Sequence, residues 1–311
     1  MNIGILSSAE KKGSEYYRYD ERLIGEIEAS GNEARVINHE KTYVGITEEG
    51  RVLYDSSDLT PINVDAVIPR LGRNVDMGLI VLKLLESQGV FTTSSSESIP
   101  RARNKLTTNI FLDKAGIPTP YSISPTGSNP KNLRDAFRMI QPDPKKEVII
   151  KNLTGSHGKG VRTGESLKSA VSIADGMERR YMIQEFIGSP EPDIFASDIR
   201  LIVVDGNVVA SMIRRCVEKD EFRSNLAQGA KAESYEPTPR EVELALRATA
   251  ALGLGVSGVD ILLSNRGPLV NEVNTNPGFG IETYTQVNVA KSIIDFVIRN
   301  ATEPITHQIN N

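Results

Sequence analysis

Cysteine and histidine are scarce in this chain of 311 residues, and their scarcity limits its chemistry. Cys216 is the single cysteine, so the chain can form no internal disulfide and no zinc site built from cysteines. The three histidines, His39, His157 and His307, are too widely spaced in the sequence to suggest a metal-binding pair. A single cysteine fits a reducing compartment, and we expect a cytoplasmic protein.

Excess positive charge and long hydrophobic runs are also missing. The 36 lysines and arginines are outnumbered by 40 acidic residues, which gives a formal net charge of -4. Such a balance does not attract nucleic acid or an anionic membrane. The first residues lack a basic segment followed by a long apolar one, and apolar runs such as residues 79–82 are short. We therefore expect no export signal, no transmembrane helix, and no binding to nucleic acid or membrane.

What is present is the composition of a folded protein, with 39% hydrophobic and 24% charged residues. The length allows about two domains. In the first part, strand patterns occur at residues 2–6, 34–38, 64–71 and 90–93, and helical periodicity occurs at residues 15–29 and 77–88. This alternation predicts a small parallel α/β domain over residues 1–98.

The rest of the chain predicts two α+β subdomains, residues 99–187 and 188–311. A basic helix is expected at residues 98–115, ended by Gly116 and Pro118. The first subdomain has strand patterns at residues 147–151 and 181–187 and helical patterns at residues 132–140 and 167–177. In the second, strands at residues 201–204 and 208–213 flank the turn sequence Asp205-Gly206-Asn207, and Thr238-Pro239-Arg240-Glu241 is a capping box that opens a helix.

Two glycine-rich segments imitate nucleotide-binding motifs. Residues 253–258 satisfy G-x-G-x-x-G, but they follow a predicted helix and precede a strand, which reverses the order found in dinucleotide-binding folds. Residues 155–160 fail the phosphate-loop pattern, because Val161 and Arg162 follow Gly160. A Walker-type nucleoside triphosphatase is therefore not predicted.

The second of these segments still offers a hypothesis. Thr154-Gly155-Ser156-His157-Gly158-Lys159-Gly160 follows the predicted strand at residues 147–151. Glycines let backbone amides approach an anion closely, so this segment is a candidate flexible cover for phosphate. A surface turn between two strands explains the same glycines equally well.

The strongest constellation lies near the C-terminus. If residues 259–263 and 269–273 form a hairpin centred on Arg266, Asp260 falls opposite Glu272, and Asn274 shares the face of Glu272. Two carboxylates about 5 Å apart repel by roughly 3 kcal/mol at an effective dielectric of 20. Mg²⁺ or Mn²⁺, which prefer oxygen ligands, would offset this repulsion and bring a nucleoside triphosphate. The alternative is that Arg214, Arg215 or Lys151 neutralises the acids.

Taken in chain order, several segments together resemble the ATP-grasp ligases, and more narrowly the RimK-type glutamate ligases. The resemblance covers nearly the whole chain. It rests on the following residues and segments: Lys105, Lys151 with its glycine loop, Gln184-Glu185-Phe186-Ile187, Asp198-Ile199-Arg200, Arg223-Ser224-Asn225, Asp260, and Glu272-Val273-Asn274-Thr275-Asn276-Pro277-Gly278.

The resemblance implies an ATP-grasp fold in which ATP lies between two α+β subdomains behind a small N-terminal domain. The implied ATP-binding residues are Lys105, Lys151, Gly155, Ser156, Gly158, Gly160, Glu185, Phe186, Asp198, Arg223, Ser224 and Asn225. By the resemblance, the two lysines contact phosphates, the backbones of Glu185 and Phe186 meet adenine, and Asp198 meets the ribose. The implied ligands of two Mg²⁺ or Mn²⁺ ions are Asp260, Glu272 and Asn274. Arg215, Arg223 and Asn225 are the candidate catalytic residues that guide the acceptor carboxylate and the transferred phosphate.

The implied reaction adds L-glutamate to a protein or peptide C-terminus through an acyl phosphate, in a homo-oligomer that is a dimer or a tetramer. Four departures from the family pattern are Ser156-His157 and Lys159 in the glycine loop, Gly229-Ala230 in place of two glycines, and longer segments at residues 10–19 and 189–197. They leave two alternatives open. One is a ligase with a small-molecule or coenzyme acceptor, and the other is a protein that senses ATP without catalysis.

Overall fold

The computed structural model describes residues 1–8, 15–48, 50–125, 130–141, 143, 145–155, 160–175, 180–191, 194–216 and 231–301. Its elements form three main sheets and one separate hairpin. No helix in these ranges is both long enough and apolar enough to span a bilayer. Residues Ser156, Gly158, Arg223, Ser224 and Asn225, all predicted to be functional, lie outside the described ranges.

The N-terminal part is the predicted parallel α/β layer. Its elements are β1 (Asn2–Ser7), α1 (Glu15–Ala29), β2 (Glu33–Asn38), β3 (Thr42–Thr47), β4 (Gly50–Asp55), β5 (Ala66–Arg70), α2 (Val75–Ser87) and β6 (Phe91–Thr92). The sheet order is β2-β1-β5-β6, and all its pairs are parallel. Strand β1 therefore lies between β2 on one side and β5 on the other.

The antiparallel hairpin of β3 and β4 was not predicted from the sequence. Its signal is weak because several large apolar side chains point to solvent, as Ile46 does with 84% of its surface exposed. Gly50 at the start of β4 has a φ of +104°, a conformation that glycine adopts without strain. The hairpin packs against α2 and does not enter the α/β sheet.

The prediction of a single basic helix at residues 98–115 is wrong, because two helices occupy this segment. They are α3 (Ser98–Arg103) and α4 (Lys105–Lys114). Asn104 between them is extended, with φ -97° and ψ 112°, and its side-chain oxygen accepts hydrogen bonds from the backbone of Leu106 and Thr107. Asparagine is a favoured N-cap, so it starts a new helix there. Lys105 becomes the first residue of α4, and its backbone N–H donates to Leu153 at 2.9 Å.

The middle subdomain is a four-stranded antiparallel sheet with two helices. Its elements are β7 (Ser122–Ile123), α5 (Pro130–Ile140), β8 (Val148–Asn152), β9 (Val161–Gly164), α6 (Leu167–Asp175) and β10 (Tyr181–Glu185), in the sheet order β7-β10-β8-β9. Phe137 and Leu133 of α5 pack with Ile150 of β8 in one buried cluster. Burial of these side chains holds the helices against one face of the sheet.

The C-terminal part contains the largest sheet. Its elements are β11 (Ala196–Val204), β12 (Asn207–Cys216), β13 (Lys231–Ser234), α7 (Pro239–Leu252), β14 (Val256–Leu262), β15 (Leu269–Asn274), α8 (Glu282–Thr285) and α9 (Val289–Ala301), and the sheet order is β13-β12-β11-β14-β15. Asp205 and Gly206 both have positive φ in the β11–β12 turn, as the Asp-Gly signal predicts. The capping box of Thr238 and Glu241 starts α7 as predicted. Helix α9 was not predicted.

The two faces of this sheet have different neighbours. One face, with Ile199, Leu201 and Val259, packs on α7 and α4 in a buried apolar cluster. The other face packs Ile202 and Met212 against α9 and the N-terminal domain. Further along the strands, the same second face carries the charged residues described next.

Candidate active site

Asp260 and Glu272 are directly opposite each other on β14 and β15, as the sequence predicts. Asn274 is opposite Gly258 in the same ladder, so the amide lies on the face of the two carboxylates. The register shifts immediately after Asp260, where Ile261 pairs with Val270 and leaves Asn271 unpaired in the ladder. This β-bulge was not predicted. The predicted convergence of two acids and one amide on a single sheet face is confirmed.

Two arginines engage the acids on this face. Asp260 is 4% exposed and accepts two hydrogen bonds from Arg200, 2.7 Å from Nε to Oδ1 and 2.6 Å from Nη2 to Oδ2. Arg214 Nη2 lies 3.2 Å from Asp260 Oδ1. Burial raises the pKa of Asp260, but the charges of Arg200 and Arg214 outweigh it, so the pKa lies below its ordinary value. Asp260 is therefore held as a carboxylate.

Arg214 also pairs with Asp198 through two hydrogen bonds, 2.7 Å from Nε to Oδ1 and 2.5 Å from Nη2 to Oδ2. Of the three basic residues named in the alternative to a metal, Arg214 contacts one of the two acids, Asp260. Arg215 pairs with Glu191, and Lys151 donates to Asn271. Because Asp198 is directly opposite Arg214 across β11 and β12, the pairing follows from the strand register.

Both predicted phosphate-binding lysines reach this face from other parts of the chain. Lys105 Nζ lies 3.0 Å from Glu272 Oε1, and Lys151 Nζ donates to Asn271 Oδ1 at 2.8 Å. Burial lowers the pKa of Lys151 to about 8, although Glu272 favours its charged form. Lys105 begins α4 and Lys151 lies in β8, so the site lies where the middle and C-terminal sheets meet.

The charges of this group suit a polyphosphate bound with a cation. Four cationic side chains (Lys105, Lys151, Arg200 and Arg214) face three acidic ones (Asp198, Asp260 and Glu272). One positive charge is in excess when Lys151 is protonated. A group with an excess of positive charge attracts an anion such as a polyphosphate.

The oxygen donors present fit Mg²⁺ or Mn²⁺. A carboxylate offers about four lone pairs, of which the two arginines occupy three on Asp260. Glu272 is 30% exposed at its side chain. Asn276, two residues after Asn274, has a buried side-chain oxygen with no hydrogen-bond partner among the described residues. No group of three or more His, Cys, Asp and Glu suited to a metal occurs among the residues the structure describes. The donors that Asp260, Glu272 and Asn274 offer are carboxylate and amide oxygens, which hard cations prefer.

Gly155 and Gly160 mark the described ends of the glycine loop. Both have positive φ, +147° and +80°. A Cβ on Gly160 would lie 2.1 Å from Nδ2 of Asn152, and Gly160 O accepts a hydrogen bond from Asn152 N at 3.0 Å. The positive φ of Gly160 therefore favours glycine there, and the side chain of Asn152 would have to move to admit a Cβ. The hypothesis of a phosphate cover stays a prediction.

Glu185 and Phe186, predicted to meet adenine through their backbones, lie at the end of β10. The Glu185 N–H donates to Tyr121 O at 3.0 Å, so this donor is already used within the subdomain. The Glu185 carboxylate accepts from Tyr121 N at 2.8 Å and pairs with Arg266 in the β14–β15 loop. Phe186 packs on Phe195 with ring centroids 5.2 Å apart. Glu185 therefore joins the two subdomains at this edge.

Arg215 is not brought to the acids. It follows Arg214 on β12, so its side chain points to the opposite face of the sheet, where it pairs with Glu191 at 2.9 Å and with Glu233. Its predicted role in guiding a carboxylate therefore gains no support from its position.

Arg200 and Asn271 are the site residues that sequence reasoning missed. Extending the predicted strand 201–204 backwards would have placed Arg200 on the face of Asp198 through the two-residue period. No sequence signal reveals Asn271, because the bulge that leaves it unpaired is set by packing between strands.

Comparisons with known proteins agree with this architecture. Residues 102–297 match the family model described as RimK-like ATP-grasp domain, and residues 1–99 match the RimK PreATP-grasp domain. A protein of Aliivibrio salmonicida named "Probable alpha-L-glutamate ligase" is 39% identical over 307 residues, which cover 97% of this chain and 96% of that protein.

Solved structures share the fold at low sequence identity. The ATP-grasp ligase PsnB complexed with its minimal precursor has a TM-score of 0.71 and 19% identity, covering 96% of this chain and 98% of PsnB. D-alanyl-alanine synthetase A of Vibrio cholerae has a TM-score of 0.69 and 16% identity, covering 97% and 98%. The predicted ATP-grasp fold with an N-terminal parallel sheet is confirmed.

Proposed function

Because this chain belongs to the family of RimK-like ATP-grasp ligases, we propose that it joins L-glutamate to the C-terminal carboxylate of a peptide or protein, using ATP. Relatives named as probable alpha-L-glutamate ligases match nearly the whole chain. Its structural neighbour PsnB binds a precursor peptide, and that ligase is also described with Mg and ADP. These names support the choice of glutamate, of a peptide acceptor and of magnesium.

One observation carries the proposal, namely the convergence of Lys105 and Lys151 with Asp260 and Glu272 on one sheet face between two subdomains. The four residues come from three separate parts of the chain. Two buried or half-buried lysines beside two acids provide the cations that a triphosphate needs and the oxygens that its divalent cation needs.

In this proposal Asp260, Glu272 and Asn274 hold Mg²⁺ or Mn²⁺, as two ions. When bound, the cation would neutralise phosphate charge and orient the reacting oxygens. Lys105 now pairs with Glu272, so ATP binding exchanges this pair for one between Lys105 and a phosphate and frees Glu272. Arg200 and Arg214 keep Asp260 ionised in the meantime.

The proposed reaction has two steps. An oxygen of the acceptor carboxylate attacks the γ-phosphorus, the bond to the bridging oxygen breaks, and ADP leaves with that electron pair. The amino nitrogen of glutamate then attacks the acyl carbon, phosphate leaves with the carbon–oxygen electron pair, and the amine gives up a proton to solvent. Lys105, Lys151, Arg200 and Arg214 would stabilise the charge on the transferred phosphoryl group. Neither step needs a protein nucleophile.

A direct test incubates the protein with ATP, Mg²⁺, each amino acid in turn and a panel of peptides and small carboxylic acids. The proposal expects ADP, phosphate and a peptide heavier by glutamate units in the mass spectrum. If a small molecule gained the mass of glutamate and the peptides stayed unchanged, the acceptor would be a small molecule, as in the alternative. Nucleotide binding without ADP release under any combination would favour an ATP sensor and contradict catalysis.

The cytoplasmic location and the homo-oligomer belong to this proposal as well. Light scattering of the purified protein distinguishes a monomer from the expected dimer or tetramer. A monomer at working concentration would contradict that part of the proposal and leave the ligase chemistry unaffected.

A further inference from the structure

Arg70 connects the N-terminal domain to the segment that follows Asn274. It is the last residue of β5 and lies beside Ser7, the last residue of β1, in the parallel sheet. Its Nη1 donates to the carbonyl of Pro277 at 3.0 Å, although the two residues are 207 positions apart. The bond joins the carboxyl end of β5, next to β1 in the parallel sheet, to the segment that follows β15.

The guanidinium of Arg70 is enclosed from several sides. The residue is 5% exposed, and its Cζ lies 5.1 Å from the ring centroid of Phe279 and 5.7 Å from that of Tyr19. Asp20 of α1 is 3.6 Å away and accepts a hydrogen bond from Ser7 at 2.6 Å. A buried charge with an acid, two rings and a carbonyl around it has little freedom to move.

Pro277 is held from its other side by the proposed metal-binding strands. A Cβ built on Gly258 would lie 3.1 Å from the Cβ of Pro277, and Gly258 is the residue opposite Asn274. At the next position, a Cβ on Gly278 would lie 2.8 Å from the hydroxyl oxygen of Tyr19. The segment after Asn274 is therefore packed tightly between the N-terminal domain and β14.

We propose that Arg70 is a positioning residue that sets the place of the Asn274 amide relative to Asp260 and Glu272. The proposal rests on the proposed function, because it assumes that these three residues hold the cation that accompanies ATP. Pro277 is three residues from Asn274 and has a fixed φ, so a restraint on its carbonyl limits the conformations open to the intervening backbone. Loss of the Arg70 bond would loosen the amide ligand without removing any oxygen donor.

The test compares Arg70→Met with Arg73→Met, an exposed arginine of the same domain whose side chain serves as the matched control. The probe is a non-hydrolysable ATP analogue titrated calorimetrically with and without Mg²⁺. The measured quantity is the gain in affinity that Mg²⁺ produces. For Arg70→Met we expect this gain to fall by about tenfold, as loss of a charged hydrogen bond implies, with affinity in the absence of Mg²⁺ retained. The Arg73→Met protein should keep the full gain.

A purely structural role for Arg70 would lower the melting temperature and leave the Mg²⁺-dependent gain unchanged, which would overturn the proposal. If Arg70→Met does not fold, Gly278→Ala takes its place, because its Cβ displaces the same segment and keeps every charge. An unchanged gain in Gly278→Ala would equally count against the proposal. A wild-type protein that shows no Mg²⁺-dependent gain would instead refute the proposed function, so the two failures are distinct.

Discussion

Lys105 and Glu272 are 167 residues apart in the chain, yet their side chains form a salt bridge of 3.0 Å. The side chains are 13% and 30% exposed, so water reaches the pair only in part. The bridge joins the start of α4 to β15 and places a predicted phosphate ligand beside a predicted metal ligand. Each residue serves as a counter-ion of the other.

Replacing Glu272 with alanine is expected to abolish turnover and preserve the fold, since the carboxylate is proposed to serve the cation. ADP release at saturating Mg²⁺ and far-ultraviolet circular dichroism measure the two effects. Glu97→Ala is the control, because Glu97 is exposed and its ion pair, with Arg101, lies within one helical turn at the surface. Turnover retained by Glu272→Ala would contradict the assigned role.

The affinity for ATP is expected to fall as the pH rises through about 8, where burial places the pKa of Lys151. Below that pH the lysine is protonated and attracts phosphate, whereas above it the free protein has a neutral amine. Bound phosphate favours the charged form, so binding near this pH should take up a proton. Calorimetry in buffers of different ionisation enthalpy measures the uptake, and Lys151→Met should remove it. Equal heats in all buffers for the wild type would show the idea to be wrong.

Asn271→Leu is expected to move this pH dependence to lower pH. The Asn271 oxygen accepts a hydrogen bond from the Lys151 ammonium at 2.8 Å, which favours the charged form, so its loss lowers the pKa. The affinity of a non-hydrolysable ATP analogue, measured across pH, reports the midpoint. Asn265→Leu, in the exposed β14–β15 loop, should keep the wild-type midpoint. A midpoint at higher pH in Asn271→Leu would contradict the assignment of the Asn271 oxygen as the acceptor from Lys151.

Asp260→Asn is expected to lower the free energy of unfolding by about 3–5 kcal/mol, because it breaks a buried ion pair and leaves arginine charge uncompensated. Chemical denaturation followed by fluorescence or circular dichroism measures the change. Glu243→Gln is the matched control, since Glu243 also contacts two arginines, Arg240 and Arg247, but at the surface. If both variants lost a similar free energy of unfolding, burial of the Asp260 ion pairs would not be the cause of the destabilisation.

Much of the predicted structure rests on patterns among residues that are close in the sequence. The Asp205-Gly206 turn, the capping box of α7 and the pairing of Asp260 with Glu272 all follow from residues close in sequence. A hairpin needs only its turn and the two-residue alternation to set its register. The break between α3 and α4 was missed because an N-cap asparagine inside an otherwise helical pattern is easily read as a helical residue.

By itself, the sequence determined most of the strands and helices, the family to which the chain belongs, and the face on which two acids and an amide meet. These depend on local periodicity and on residues near one another in the chain. Only the tertiary structure decided that Lys105 meets Glu272, that Lys151 meets Asn271, that Arg200 and Arg214 share Asp260, and that Arg70 reaches Pro277. The contacts of Lys105, Lys151 and Arg70 join parts of the chain that are distant in sequence. The packing of the sheets, the bulge after Asp260 and the desolvation of buried charges select these contacts from many pairings that sequence spacing leaves equally possible.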